Sequence, residues 1–211
     1  DSPTLTVALI SDVFFGEGAQ ERLLDRLAAA KEGGAELAVL PEIPVNRWAP
    51  ATKDLLDDDA EEPGGPLHRM QSDAAGEIGI AVLGGVIERD PELLRGAAAR
   101  RNTALLFDAS GTLVGSFSKC HLPEEPGFWE TSHYAAGEAM PVFDALPLRV
   151  GVQICSDNNR PVGAHILAAK GAEAILVPRS TEKATWERWR HSFIANAWTT
   201  GTYVLSANRP A

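Results

Sequence analysis

The 211-residue chain is 45% hydrophobic, enough apolar material for one sizeable core, and its 29 acidic against 19 basic residues give a formal net charge of -10. That charge opposes a polyphosphate partner, so no nucleic acid is expected. Two cysteines with no CxxC pair support neither a disulfide framework nor a structural zinc site, and they fit a reducing, cytoplasmic compartment.

Strand and helix signals alternate along the chain. Residues 4–15, TLTVALISDVFF, read as a strand; residues 18–35 as an amphipathic helix closed by glycines; and residues 36–42, ELAVLPE, as a second strand. The acidic run at 53–65, KDLLDDDAEEPGG, reads as a solvated surface loop. A helix at 66–79 and a strand at 80–88 follow, then a hairpin over 102–119 turned at Ser110-Gly111. Residues 148–155, LRVGVQIC, form the next strand, followed by helix 161–172, strand 173–180, helix 185–201 and a last strand at 203–208. No apolar run approaches the roughly 20 residues that span a bilayer, and no basic N-terminal signal region is present, so no membrane partner is expected. Helices between apolar strands, with one internal hairpin, point to a single α/β domain over residues 1–211 with mixed sheet pairing.

Three strands end on residues that can do chemistry: Glu42, Lys119 and Cys155. In open α/β architectures small ligands bind at the carboxyl edge of the strands. A cysteine nucleophile needs a base for its proton, which a glutamate can supply. A lysine can stabilise the oxyanion formed when sulfur attacks a carbonyl or nitrile carbon. Each residue also has an ordinary role: a free cysteine is a common small core hydrophobe, and a charge after a strand is commonly a solvated rim group. Spacing alone leaves both roles open. Cys120, His121 and His133 do not form a convincing ligand set, so no metal or cofactor is expected, and His121 is expected to hydrogen-bond near the lysine. Trp186, Trp189, Phe193 and Trp198 fall mostly on one helical face, as core or subunit interface.

The separated motifs AVLPE, FSKCHLPEEPGFWE and GVQICSDNNRP, in this order, resemble those of the nitrilase, or carbon–nitrogen hydrolase, superfamily. The resemblance covers nearly the whole chain. It implies a four-layer α-β-β-α sandwich in which Glu42 is general base, Lys119 the oxyanion-stabilising cation and Cys155 the nucleophile. It also implies a second glutamate beyond the lysine, matched by Glu130 within GFWE. Family members commonly pair through helices of the 185–201 region, which implies a homodimer or higher homo-oligomer. Many members continue past NRP with further strands, so the second sheet is expected to be short of its C-terminal strands or to have its edge covered by a partner.

The pair after the nucleophile, Ser156-Asp157, is similar to amidase and carbamoylase branches rather than to the Trp-Glu of nitrilases. The expected function is therefore a thiol amidohydrolase acting on a small amide or N-carbamoyl compound. A nitrilase, or an inactive homologue serving as a binding module, is the alternative. Arg160 and Asn158, close after the nucleophile, are candidate substrate contacts, and the forked donors of Arg160 suit a substrate carboxylate.

Overall fold

Two mixed sheets carry nearly all the segments read as strands. A computed structural model describes residues 3–55, 58–93 and 96–210. The first sheet takes β1 (Val7–Leu9), β2 (Leu37–Val39), β3 (Ala81–Arg89), β4 (Arg100–Phe107) and β5 (Leu113–Ser118) in that order. Its first three strands run parallel and the last two join antiparallel. Helices α1 (Ala19–Glu32) and α2 (Pro66–Ile78) provide the crossovers between the parallel strands. A two-stranded hairpin, β6 (Glu124–Glu125) and β7 (Phe128–Trp129), stands apart. The second sheet contains β8 (Val142–Phe143), β9 (Val150–Val152), β10 (Ala174–Arg179) and β11 (Tyr203–Asn208), ordered β11-β10-β9-β8. Its crossovers are α3 (Pro161–Ala169) and α4 (Trp186–Thr200).

Side-chain alternation sets the layers. Leu37 and Val39 of β2 point into a core shared with Val150, Val152 and Leu176 of the other sheet. Their neighbours Ala38 and Leu40 point the opposite way, against Leu23 and Leu27 of α1 and Ala74 and Ala75 of α2. On the far side, Ala164 and Leu167 of α3 cover Ile175 and Val177 of β10. The product is the expected α-β-β-α sandwich. Because strand side chains alternate, a one-residue slip of β2 would exchange its two apolar faces, so this register is strongly specified. The β4–β5 turn is where the sequence placed it. The Asp108 carboxylate accepts the N–H groups of Ser110 and Thr112 at 2.8 and 3.0 Å, and Gly111 takes a φ of 82°, a left-handed conformation that costs glycine little.

Three expectations are corrected. The strand read over 4–15 regularises only at Val7–Leu9, because the chain leaves the ladder to reach the next strand's end: Phe14 donates its N–H to Pro44 O at 2.7 Å. The 121–143 region adds three short strands that periodicity did not reveal, each two residues long. Part of the acidic run is tied down: Asp59 pairs with the wholly buried Arg100 at 2.5 Å, and Glu61 bridges to Glu88. Leu56 and Asp57 of that run lie outside the described residues. Of the four aromatics on α4, Trp189 is buried whereas Trp198 is 86% exposed. Among the described residues, no helix is long and apolar enough to cross a membrane.

Candidate active site

The two sheets bring their carboxyl edges together, and the three separated motifs meet there. Glu42 follows Pro41 just past β2, Lys119 follows β5, and Cys155 follows β9. Lys119, Glu42 and Glu130 are almost completely buried. The Lys119 ammonium donates to Glu42 Oε1 at 2.7 Å and to Glu130 Oε1 at 2.6 Å. Asn102 of β4 donates to the same Glu42 oxygen at 2.8 Å. Each carboxylate therefore commits one oxygen. Glu42 Oε2 and Glu130 Oε2 have no hydrogen-bond donor among the described residues.

Two tight backbone positions shape this edge. Cys155 has a φ of 48° and Ile43 a φ of 37°, left-handed values uncommon for residues with a side chain and costing on the order of 1–3 kcal/mol each. At Cys155 the bend turns β9 sharply into the 3₁₀ turn Cys155–Asn159. Asp157 holds that turn. Its Oδ1 accepts the N–H of His121 and of Cys120 at 2.8 and 3.2 Å and meets His121 Nδ1 at 2.8 Å, while Oδ2 accepts the N–H of Ile154 at 3.1 Å. One buried carboxylate thus fastens the nucleophile motif to the lysine motif.

The charges act on one another strongly because little water reaches them. Burial pushes the Cys155 thiol well above its usual pKa and Glu42 adds to this, with Lys119 opposing. Burial alone would lower Lys119, but the carboxylates of Glu130 and Glu42 and the charge on Cys155 hold it above its ordinary value. Burial raises Glu130 to about 7, against the pull of Lys119. A thiol raised in this way rests protonated at neutral pH, and such a sulfur becomes a nucleophile only where a base takes its proton.

Cys155 itself borders a cleft of about 430 Å³, with Phe128, Arg160, Thr181 and Trp189 among its walls. Lys119, Glu42 and Glu130 are buried and do not border that cleft. A larger groove of about 770 Å³ beside α1 and α2 is bordered mainly by Phe14, Phe15, Leu24, Leu67 and Met70 and holds no nucleophile. Among the described residues, no three His, Cys, Asp or Glu side chains are grouped to hold a metal.

Of the two candidate substrate contacts, exposed Arg160 borders the cleft. Asn158 does not. It is completely buried, and its carbonyl oxygen and Oδ1 accept from Asn196 of α4 at 2.8 and 3.0 Å. In a 3₁₀ turn neighbouring side chains point about a third of a turn apart, so Asn159, whose Oδ1 accepts from Ser192 of α4 at 2.8 Å, borders the cleft, whereas Asn158 turns inward against Asn196. Sequence reasoning missed Asp157, Asn102 and Arg209. Asp157 had a visible signal in the Ser-Asp pair after the cysteine, whereas Asn102 and Arg209 had none, lying 60 and 167 positions from Glu42.

Known proteins resemble the chain in sequence and in fold. The chain is 27% identical over 203 residues to a citrullinase of Francisella tularensis, covering 90% of this chain and 68% of that protein. It is 26% identical over 215 residues to an N-carbamoylputrescine amidase of Solanum lycopersicum, covering 97% and 69%. The crystal structure of Nit3 from Saccharomyces cerevisiae, a member of branch 10 of the nitrilase superfamily, superposes with a TM-score of 0.79 at 25% identity, covering 97% of this chain and 75% of that one. The carbon–nitrogen hydrolase family model matches residues 16–210, nearly the whole chain and every motif of the cleft, and the chain therefore belongs to the carbon–nitrogen hydrolase family.

Proposed function

We propose that this protein is a thiol amidohydrolase that cleaves the C–N bond of a small amide or N-carbamoyl compound through a Cys155 acyl-enzyme. The observation that carries this is the Lys119 ammonium bridging Glu42 and Glu130, whose charges act on a thiol that borders an open cleft. Glu42 Oε2, which has no donor among the described residues, takes the thiol proton as the sulfur attacks the carbonyl carbon. Lys119 stabilises the oxyanion of the tetrahedral intermediate, and Glu130 fixes the direction of the ammonium. Glu42 then passes the proton to the leaving nitrogen, and the amine or ammonia departs. A water molecule, deprotonated by Glu42, hydrolyses the thioester and returns the thiol.

The two relatives, a citrullinase and an N-carbamoylputrescine amidase, support a carbamoyl or amide substrate. Arg160 on the rim of the cleft suits a substrate carboxylate. The exposed Ile166, Ile194 and Trp198 of α3 and α4 suit pairing of two copies through this helical layer, which sedimentation analysis checks.

Ammonia release across aliphatic amides, ω-amides of dicarboxylates, N-carbamoyl amino acids, N-carbamoyl amines and nitriles tests the reaction, with Cys155→Ala as the blank. Turnover of an amide or carbamoyl compound, with an acyl adduct on Cys155 in the intact mass, is expected. Turnover of nitriles alone, or activity in Cys155→Ala, overturns the proposal.

A further inference from the structure

Strand β4, which carries Asn102, is paired with β3 on one side and β5 on the other, and Asn102 itself is 1% exposed. Two groups of this residue reach two parts of the lysine cluster. The side-chain Nδ2 donates to Glu42 Oε1 at 2.8 Å. The backbone carbonyl oxygen accepts the N–H of Lys119 at 2.9 Å. One residue of a doubly paired strand therefore ties the Glu42 carboxylate to the backbone that carries Lys119. Asn102 does not border the cleft beside Cys155, so its effect on the reaction passes through these two partners.

A carboxylate oxygen has about two lone-pair sites at which it accepts. Glu42 Oε1 has two donors, Asn102 Nδ2 at 2.8 Å and Lys119 Nζ at 2.7 Å. Glu42 Oε2 has none among the described residues. A lysine ammonium alone would let the carboxylate swing about the oxygen it holds, because its three donors rotate on a flexible stem. The planar amide of Asn102, rooted in the sheet, adds a second direction at the same oxygen and so fixes where Oε2 lies.

We infer, on the reading that Glu42 is the general base, that Asn102 is its positioning residue: the amide keeps Oε1 out of proton transfer and holds Oε2 as the oxygen that takes the thiol proton and returns it to the leaving nitrogen. As the S–C bond forms, the S–H proton passes to Oε2 and the carbonyl electron pair moves onto oxygen. As that pair re-forms the carbonyl, the C–N bond breaks and the nitrogen, keeping the bonding pair, takes the proton from Oε2. The second transfer is the more sensitive to placement. A thiol proton can also pass to water before attack, whereas the leaving nitrogen must be protonated within the lifetime of the intermediate.

The test gives Asn102→Leu, which keeps the volume and removes the donor, two substrates with one acyl or carbamoyl group. One is the amide or carbamoyl compound that the wild type turns over fastest, and the other is the p-nitrophenyl ester of the same group, whose nitrophenolate leaves without a proton. At matched folded concentration kcat/KM for the amide should fall about a hundredfold, the scale of misplacing a catalytic group by about 1 Å, and for the ester by less than about tenfold. KM for the amide should stay at its wild-type value. Equal losses on the two substrates, as general loosening of the sheet would give, overturn the positioning role, and so does an undiminished amide rate. If the ester is not turned over, alkylation of Cys155 by iodoacetamide, which expels iodide without a proton, takes its place. If Asn102→Leu does not fold, Asn102→Ala decides by the same ratio. Glu42→Gln tests the reading beneath: it should abolish amide turnover, and turnover retained there overturns Glu42 as the base and this inference with it. A wild type that hydrolyses no amide or carbamoyl compound overturns both likewise.

Discussion

Arg209 reaches Glu42 across the whole chain: its Nη1 donates to the carbonyl oxygens of Glu42 and Ile43 at 3.0 and 2.7 Å, and Nη2 donates to Asn46 O at 3.2 Å. The residue just past the last strand thus clamps the backbone that presents the Glu42 carboxylate. Its guanidinium also lies 5.9 Å from the ring centres of both Phe15 and Trp48, which confines it. Three carbonyl oxygens in a tight turn need a planar fork of donors, which arginine has and lysine does not.

Arg209→Lys should therefore lower kcat by about tenfold, since small misplacements of a catalytic group are expensive. Arg209→Ala should also lose about 2–3 kcal/mol of folding stability, the scale of hydrogen bonds from a charged donor. Urea unfolding and steady-state turnover check both. Normal turnover in Arg209→Ala would mean that Pro41 and the strained Ile43 hold Glu42 unaided.

Lys119 sits between two buried carboxylates, so its loss has two effects. Lys119→Ala should cost roughly 3–5 kcal/mol, as removal of one partner from a buried ion pair does. Turnover should fall on the order of 10²–10³, the scale of losing one oxyanion-stabilising donor. Stability by chemical denaturation and kcat at matched folded concentration separate these effects. A variant that is destabilised but fully active would reduce the lysine to a structural role.

Asp157→Asn replaces one acceptor oxygen by an amide nitrogen where the native carboxylate receives donors on both sides. Whichever way the amide turns, one N–H donor faces another. A stability loss of about 2 kcal/mol is expected, with slower alkylation of Cys155 as the 3₁₀ turn loosens. Thermal melts and alkylation rates measure the two.

Glu130 gives folding a pH dependence of fixed sign. Its folded pKa is raised from 4.5 to about 7, so the folded protein binds that proton more tightly than the unfolded chain. The stabilising contribution is complete below about pH 4.5 and is lost as the pH rises through about 7. Glu130→Gln lacks this titration. The unfolding free energy of wild type minus that of Glu130→Gln should therefore fall between about pH 5 and pH 8. A difference that stays constant, or grows with pH, would contradict a raised Glu130.

By itself the sequence determined the alternation of strands and helices and the chemistry-bearing strand ends, while the four-layer order was implied only by the family resemblance. The β2 residues Leu37 to Leu40 are apolar on both faces, which requires a buried parallel strand, and Asp108 to Thr112 contain the turn residues their hairpin needs. These are local properties, fixed by side-chain period and backbone preference. The motifs around Glu42, Lys119 and Cys155 were legible because each follows an apolar run directly. Tertiary structure alone decided what surrounds them. Asn102 in β4 and Arg209 just past β11 hold Glu42 from segments that carry no local mark of it, and Asn158 and Asn159 differ in surroundings only through the turn's angular step. The charge states were likewise not readable from the chain: burial in a gap between two sheets raises Cys155 and Glu130, and burial is a property of what packs against a residue, not of its neighbours in sequence.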